Sequence, residues 1–247
     1  MAKTNTILGD LILLDNKLLW CKNAKAGSSS MYFSVLPFIF GNGLGCQWHK
    51  KCRCYGHNNC PFSAWRLFTG DNTTRQAVMR APSFLIIRNP WDRLRSTYVD
   101  RILVKKMVPT KLRKKLHPIS FVEFVEHIEK YPTADIHWMP HSDRCLSVAK
   151  DLGGKIFHYN HLVKIEDGLF EQVKKIFGWY GLPFPEDAAP KNVNNETRRK
   201  AHNKDEEMRE FYLEAATQKN VSMEALVKKL GKIYHLDVGL GRYTFPW

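Results

Sequence analysis

The sequence predicts an α/β domain with a central, mainly parallel sheet flanked by helices. Three observations predict it: a continuous apolar run at Phe84-Leu-Ile-Ile-Arg88, two strand–loop–helix patterns (around Lys25 and Arg88), and no internal repeat or Gly/Ser/Pro-rich linker in 247 residues. An unbroken apolar run suits a strand covered on both faces, as parallel sheets require. Strands alternating with helical patterns then define the class. With 44% hydrophobic residues the chain can bury a core as a single domain over 1–247, carrying an irregular Cys/His-rich insertion at 41–63.

In chain order, Asp10 to Cys21 holds two short apolar runs split by Asp15-Asn16, a hairpin signal. Lys22 to Gly27 is a polar turn containing glycine. Ser28-Ser-Ser then opens a helix expected to run to Pro37, with the serines as N-caps. After the run at 84–88, Pro90 stands at a natural first helical position, with Trp91, Leu94, Tyr98 and Ile102 roughly on one face. Phe121 to Tyr131 reads as an amphipathic helix, Lys155-Ile-Phe-His-Tyr as a short strand, and Leu169 to Tyr180 as a helix. Two more helical patterns lie near 204–217 and 222–235.

Charge narrows the partners. Lysine plus arginine number 38 against 24 acids, a formal charge of +14. That excess favours polyanions such as nucleic acid, phosphorylated cofactors, acidic glycans or an anionic membrane, although basic residues also simply keep a fold soluble. A charged fraction of 25% and an aromatic fraction of 12% exclude a disordered chain. Met1-Ala-Lys-Thr-Asn-Thr lacks the layout of a signal peptide, and the longest apolar stretches fall short of the roughly 20 residues a spanning helix needs. The expectation is a cytoplasmic or otherwise soluble protein with no membrane span.

Cys46, Cys52, Cys54 and Cys60 cluster with His49 and His57, while Cys21 and Cys145 stand apart. Thiolates and imidazoles at short spacing suit tetrahedral zinc, but the spacing matches no standard knuckle. Disulfides or reduced structural thiols fit as well. No metal is assigned.

Two loops carry the chemistry. In Lys25-Ala26-Gly27-Ser28-Ser29-Ser30, small residues let the backbone approach an anion, the N–H groups of a helix start point at it, and three hydroxyls and an ammonium add donors. A capped helix start explains the same residues. The lysine precedes the small residues, so this is not the nucleoside-triphosphatase loop, and no magnesium-binding acid accompanies it. The second loop, Arg88-Asn-Pro-Trp-Asp-Arg-Leu-Arg-Ser96-Thr-Tyr, sets Arg88 at a strand end and Ser96 about two turns into a helix. Arg88 can grip a phosphate bidentately and Ser96 can donate a further bond. Arg93 and Arg95 read as solvated helix residues.

These motifs resemble the sulfotransferase superfamily, and most closely its chondroitin-type carbohydrate branch. Leu18-Leu-Trp-Cys-Lys-Asn-Ala-Lys25-Ala-Gly-Ser-Ser is similar to that branch's 5′-phosphosulfate loop, and Arg88 to Tyr98 to its 3′-phosphate motif. The likeness continues through Ile136-His-Trp-Met-Pro140 with Cys145, His158-Tyr-Asn with Lys164-Ile-Glu166, and Tyr234-His-Leu-Asp237 with Tyr243. Ala24 replaces the usual proline, Asn89 the usual acid, and the insertion at 46–60 has no counterpart.

The resemblance implies transfer of a sulfuryl group from PAPS (3′-phosphoadenosine-5′-phosphosulfate), releasing PAP, with no metal required. Lys25, Ala26, Gly27, Ser28, Ser29 and Ser30 would hold the 5′-phosphosulfate, and Arg88 and Ser96 the 3′-phosphate. Lys25 would act on the leaving group. The base is expected to be His57, ahead of His49 and His137, with Glu123 also in reach of the argument. Asn192 and Asn194 would either cover the nucleotide or lie in a solvent loop. The acceptor would be a carbohydrate or, failing that, a soluble metabolite. No nucleic-acid partner is expected, although the basic run Lys105–Lys115 keeps that class in play.

Overall fold

A computed structural model describes residues 11–36, 80–107, 119–146, 159–188 and 204–247, together with 39 and 76. It contains two compact units, Met1–Ile87 with Arg144–Asn192, and Arg88–Asp143 with Val193–Trp247.

The first unit carries a four-stranded sheet in the order β1-β2-β3-β4. Strand β1 (Leu11–Leu14) pairs antiparallel with β2 (Leu18–Cys21), and the expected hairpin turns at Asp15 and Asn16, whose φ values of 46° and 54° are left-handed. Strands β3 (Ser83–Ile87) and β4 (His161–Lys164) continue the sheet in parallel, with Trp20 beside Phe84 and Ile86 beside Val163. All of β2 and β3 is buried, as their unbroken apolar runs require. Helix α1 (Ser28–Ser30) widens into a π-turn over Met31–Val35 and packs Met31, Val35 and Leu36 into this core. Helix α5 (Leu169–Trp179) adds Val173, Ile176 and Phe177, with Phe84 and Phe177 edge to face.

The strand expected at 155–159 falls, except for Tyr159, outside the described residues, and a strand that the sequence did not mark lies just beyond it, at His161–Lys164. As an edge strand, β4 buries only Val163 and leaves Leu162 exposed, so it lacks the continuous apolar signature that marked β3.

The second unit is helical. Helix α2 (Pro90–Thr97) runs on as a π-turn over Tyr98–Val104, and α3 (Phe121–Lys130) follows. Later come α6 (Lys204–Thr217), α7 (Met223–Ile233) and α8 (His235–Gly241). The pattern read as one helix over 222–235 breaks at Tyr234. Their shared core gathers Trp91, Leu94, Tyr98, Phe121, Phe124, Trp138, Tyr212 and Tyr234. Phe121 meets both Phe211 and Tyr212 edge to face, which fixes α3 against α6. The insertion at 41–63, with Cys46, His49, Cys52, Cys54, His57 and Cys60, lies outside the described residues, as do Asn192 and Asn194.

Candidate functional site

Strand β2 ends at Cys21, which is buried and disulfide-bonded. The chain then turns through Lys22 to Gly27. Asn23 ties the base of this turn to the sheet, its Nδ2 donating to the Ile86 carbonyl at 3.4 Å. Lys25 and Gly27 both adopt left-handed backbone, with φ of 61° and 68°. Such conformations help draw successive N–H groups toward one point, the geometry of an anion-binding nest. Gly27 is the N-cap of α1, and its carbonyl accepts the Met31 amide at 3.0 Å. The serines therefore do not cap the helix as expected; they form its first turn, with Ser28 and Ser29 half-exposed and Ser30 buried.

Glycine is favoured at 27 on two counts. Its φ disfavours a side chain, and a Cβ there would come within 2.7 Å of the Leu169 side chain on α5. Ala26 is buried beneath the turn while Lys25 is half-exposed. Small residues thus let the loop lie against its own core and leave the lysine at the rim.

The second loop begins where β3 ends. Because β2 and β3 run parallel, their last residues, Cys21 and Ile87, lie at the same end of the sheet, and each loop follows directly in the chain. Asn89 caps α2, its side-chain oxygen accepting from Trp91 N at 3.0 Å and Asp92 N at 3.4 Å, and Pro90 takes the first helical position. An aspartate would cap equally well, so Asn89 in place of the acid usual in the motif it resembles preserves the helix start.

Arg88 is oriented from one turn below. Its Nε and Nη2 donate to Asp92 Oδ2 at 2.9 and 2.8 Å. Lys204, the first residue of α6, reaches the same oxygen at 3.1 Å. Burial disfavours the Asp92 charge, but Arg88 and Lys204 outweigh it and hold the carboxyl below its ordinary range. Ser96 is half-buried on α2. Its neighbour Thr97 is buried and donates to the carbonyls of Arg93 at 2.9 Å and His137 at 3.1 Å.

Arg93 corrects the sequence reading. It is only 1% exposed, and its Nη2 donates to the carbonyls of Trp138 and Met139. The guanidinium also lies 3.9 Å from the Asp237 carboxylate and over the Tyr234 ring. Asp237 in turn accepts the amides of His141 and Ser142, each at 2.8 Å, at the start of helix α4 (His141–Leu146). Arg95, read alongside it as solvated, is half-buried and pairs with Glu207 at 3.5 Å.

Among the base candidates, His57 and His49 fall outside the described residues. His137 sits in a turn where Asp135 Oδ1 accepts from its backbone N at 2.8 Å and lies 2.6 Å from its Nδ1. Burial of Asp135 raises its proton affinity, yet the His137 contacts and the charge of Arg101 leave its carboxyl below the ordinary range. The contact favours the tautomer in which Nδ1 donates to Asp135 and Nε2 faces outward as the acceptor. Glu123 is occupied otherwise. Its Oε2 accepts from Ser120 N and Oγ, both at 2.9 Å, closing the capping box of α3.

The structure thus brings Lys25 to Ser30 into one loop of the first unit, and Arg88, Asp92 and Ser96 onto one loop and helix of the second. Sequence reasoning missed Asp92 and Asp135, although each stands within four residues of the group it orients. It also missed Lys204, which lies 112 residues from Asp92 and gave no local signal.

A family model, Sulfotransfer_2 (sulfotransferase family), matches residues 11–244. No curated protein and no solved structure matches the chain significantly. Spanning nearly the whole sequence and both loops just described, that match shows that the chain belongs to the sulfotransferase family.

Proposed function

We propose that this sulfotransferase takes its sulfuryl group from PAPS and passes it to a hydroxyl or amine of a carbohydrate. One observation carries the reading: two loops suited to phosphate, one with left-handed Lys25 and Gly27 and one with carboxylate-held Arg88, each follow in the chain the C-terminal end of one of two adjacent parallel strands. PAPS carries phosphate at both ends of its ribose, and this pair of loops supports a ligand of that kind. In this reading Lys25, Ala26, Gly27, Ser28, Ser29 and Ser30 hold the 5′-phosphosulfate, while Arg88 and Ser96 hold the 3′-phosphate.

Transfer is an in-line displacement. The acceptor oxygen or nitrogen forms a bond to sulfur as the bond from sulfur to the bridging oxygen of the phosphate breaks, and PAP departs. Negative charge grows on that bridging oxygen, so Lys25 stabilises the transition state more than the ground state. The acceptor's proton passes to a base. His57 keeps its place as a proposal on its position between the two motifs. His137 gains support from Asp135, and Glu123 loses it to the capping box.

The acceptor reading rests on the likeness to the chondroitin-type branch and on the charge of +14, which suits a polyanionic glycan. The disulfide on Cys21 supports an oxidising compartment over the cytoplasm expected from the sequence. Among the described residues no helix is long and apolar enough to cross a membrane.

Calorimetric titration with PAP at low salt tests the donor, and labelled PAPS with a panel of glycans and small alcohols tests the transfer. PAP should bind the wild type, and Lys25→Ala should cut turnover by two orders of magnitude or so, the scale set by losing one oxyanion-stabilising group. A wild type that ignores PAP would overturn the donor assignment.

A further inference from the structure

We propose that Trp179 and Lys175, at the end of α5, form an exosite that seats an acidic sugar of the acceptor chain. The proposal rests on the carbohydrate reading above and deepens it, because it adds chain length to what the enzyme recognises.

Trp179 keeps 58% of its surface exposed. Exposure of a single apolar residue is ordinary. Here, however, the indole is also held in place. The Lys175 ammonium lies 5.4 Å from the centre of its ring, and the His161 ring lies 5.1 Å away at 39°. His161 is fixed in turn, its Nε2 standing 2.8 Å from the Tyr180 hydroxyl. A ring already ordered by its neighbours loses little freedom when a ligand covers it.

Gly178 opens the surface next to it. Inside a helix glycine is destabilising relative to alanine, and a Cβ at this position would meet nothing within 4 Å. Packing therefore does not call for glycine here. The missing side chain leaves the approach to Trp179 uncluttered.

The surroundings choose the occupant. Among the described residues of the first unit, Leu162 is the one other large apolar side chain that is exposed. Strand alternation turns it to the opposite face of the sheet from His161 and Val163. A lone indole is too small a patch for a stable protein interface. A sugar ring needs no more, since its C–H bonds rest against a single aromatic face. Lys174 and Lys175 are exposed, and neither forms an ion pair among the described residues, although Glu171 stands one turn before them. An ammonium so placed receives the carboxylate or sulfate that an acidic sugar carries.

Distance then sets the role. Leu169, at the start of α5, lies beside Gly27 of the donor loop. The usual helical rise puts Trp179 about 15 Å further along. An acceptor that engages both must span that length. A disaccharide is shorter, whereas a decasaccharide exceeds it.

Length and charge supply the test. KM and kcat are measured on the full chain for a uronic-acid disaccharide and decasaccharide, and calorimetry follows binding of the decasaccharide directly. Trp179→Ala should raise the decasaccharide KM about tenfold, the loss expected of one aromatic anchor, with kcat and the disaccharide KM unchanged. Trp179→Phe should recover part of that loss. Lys175→Gln should raise the decasaccharide KM several-fold and flatten its dependence on salt. Thermal melts that match wild type exclude damage to the fold. A decasaccharide KM that is unchanged in Trp179→Ala, or that moves together with the disaccharide KM, overturns the exosite while the carbohydrate reading stands. A wild type that neither binds nor sulfates either glycan overturns that reading and the exosite with it. Single-stranded RNA that binds more tightly than the decasaccharide, and is lost in Trp179→Ala, assigns the platform to nucleic acid and overturns the exosite too.

Discussion

A guanidinium taken out of water costs several kcal/mol unless charge and hydrogen bonds replace the solvent, and Arg93 shows how the second unit meets that cost. Two carbonyls, the Asp237 carboxylate and the face of Tyr234 surround it. These contacts fix the turn from Trp138 to Ser142, because Asp237 also caps the amides of His141 and Ser142. The same turn carries His137, whose carbonyl is held by Thr97 one residue beyond Ser96. Arg93 therefore acts on the site through packing, with no ligand of its own assigned. Arg93→Met should destabilise the protein by roughly 3 to 5 kcal/mol, since it leaves the buried Asp237 carboxylate with two amides but no opposite charge. Adding Asp237→Asn should restore part of that loss. Denaturant melts of the single and double variants measure both, and a single variant within about 0.5 kcal/mol of wild type would sink the account. Nothing in the sequence marked Arg93 as buried. Its neighbours Asp92 and Arg95 are also charged, and its partner Asp237 lies 144 residues away.

Local chemistry made most elements legible before any coordinates. The hairpin followed from Asp15-Asn16, β3 from its apolar run, and α2 from Pro90 placed after a polar cap. Helix α3 followed from its apolar stripe, while the full capping box of Ser120 and Glu123 that closes its start is a feature of the structure that the reading of the sequence did not use. Where the code was weak the reading slipped. Strand β4 shows the sheet one buried residue, and α1 starts on a left-handed glycine where the adjacent serines offered a more familiar cap. The loop that ends at Gly27 is thus an element whose conformation depends on that glycine and on Leu169 packed against it. The capping box invites measurement. Ser120→Ala removes the side-chain bond to Glu123 N and frees the Glu123 carboxylate from Oγ. The expected loss is about 0.5 to 2 kcal/mol of stability, with PAP affinity unaltered. A large drop in transfer rate without a matching loss of stability would instead return Glu123 to the list of bases.

At the scale of the whole molecule, the excess of 38 basic over 24 acidic residues is the property that the fold does not consume. Many acids of the described surface are paired within the chain, as with Asp100 to Lys105, Glu129 to Lys229 and Glu207 to Arg95. Each such pair uses one cation for one anion, so pairing leaves the surplus of +14 intact. One PAPS molecule neutralises only a small part of it, so the remainder is free to attract an acceptor that is itself a polyanion. Nucleic acid would answer the same charge, and the two readings separate by what the site residues do. If about two or three cations engage a flexible anionic chain, affinity should fall on the order of tenfold between roughly 50 and 200 mM salt, by release of condensed counterions. A uronic-acid glycan should show that slope in both binding and turnover, and a neutral sugar of the same linkage should show little. Turnover of the charged glycan, unlike its binding, should fall by about two orders of magnitude in Lys25→Ala. Equal sulfation of charged and neutral sugars at both salts would detach the surface charge from the choice of acceptor. Tighter, equally salt-sensitive binding of RNA or DNA that survives Lys25→Ala and Arg88→Ala would assign the surplus to a nucleic-acid surface instead.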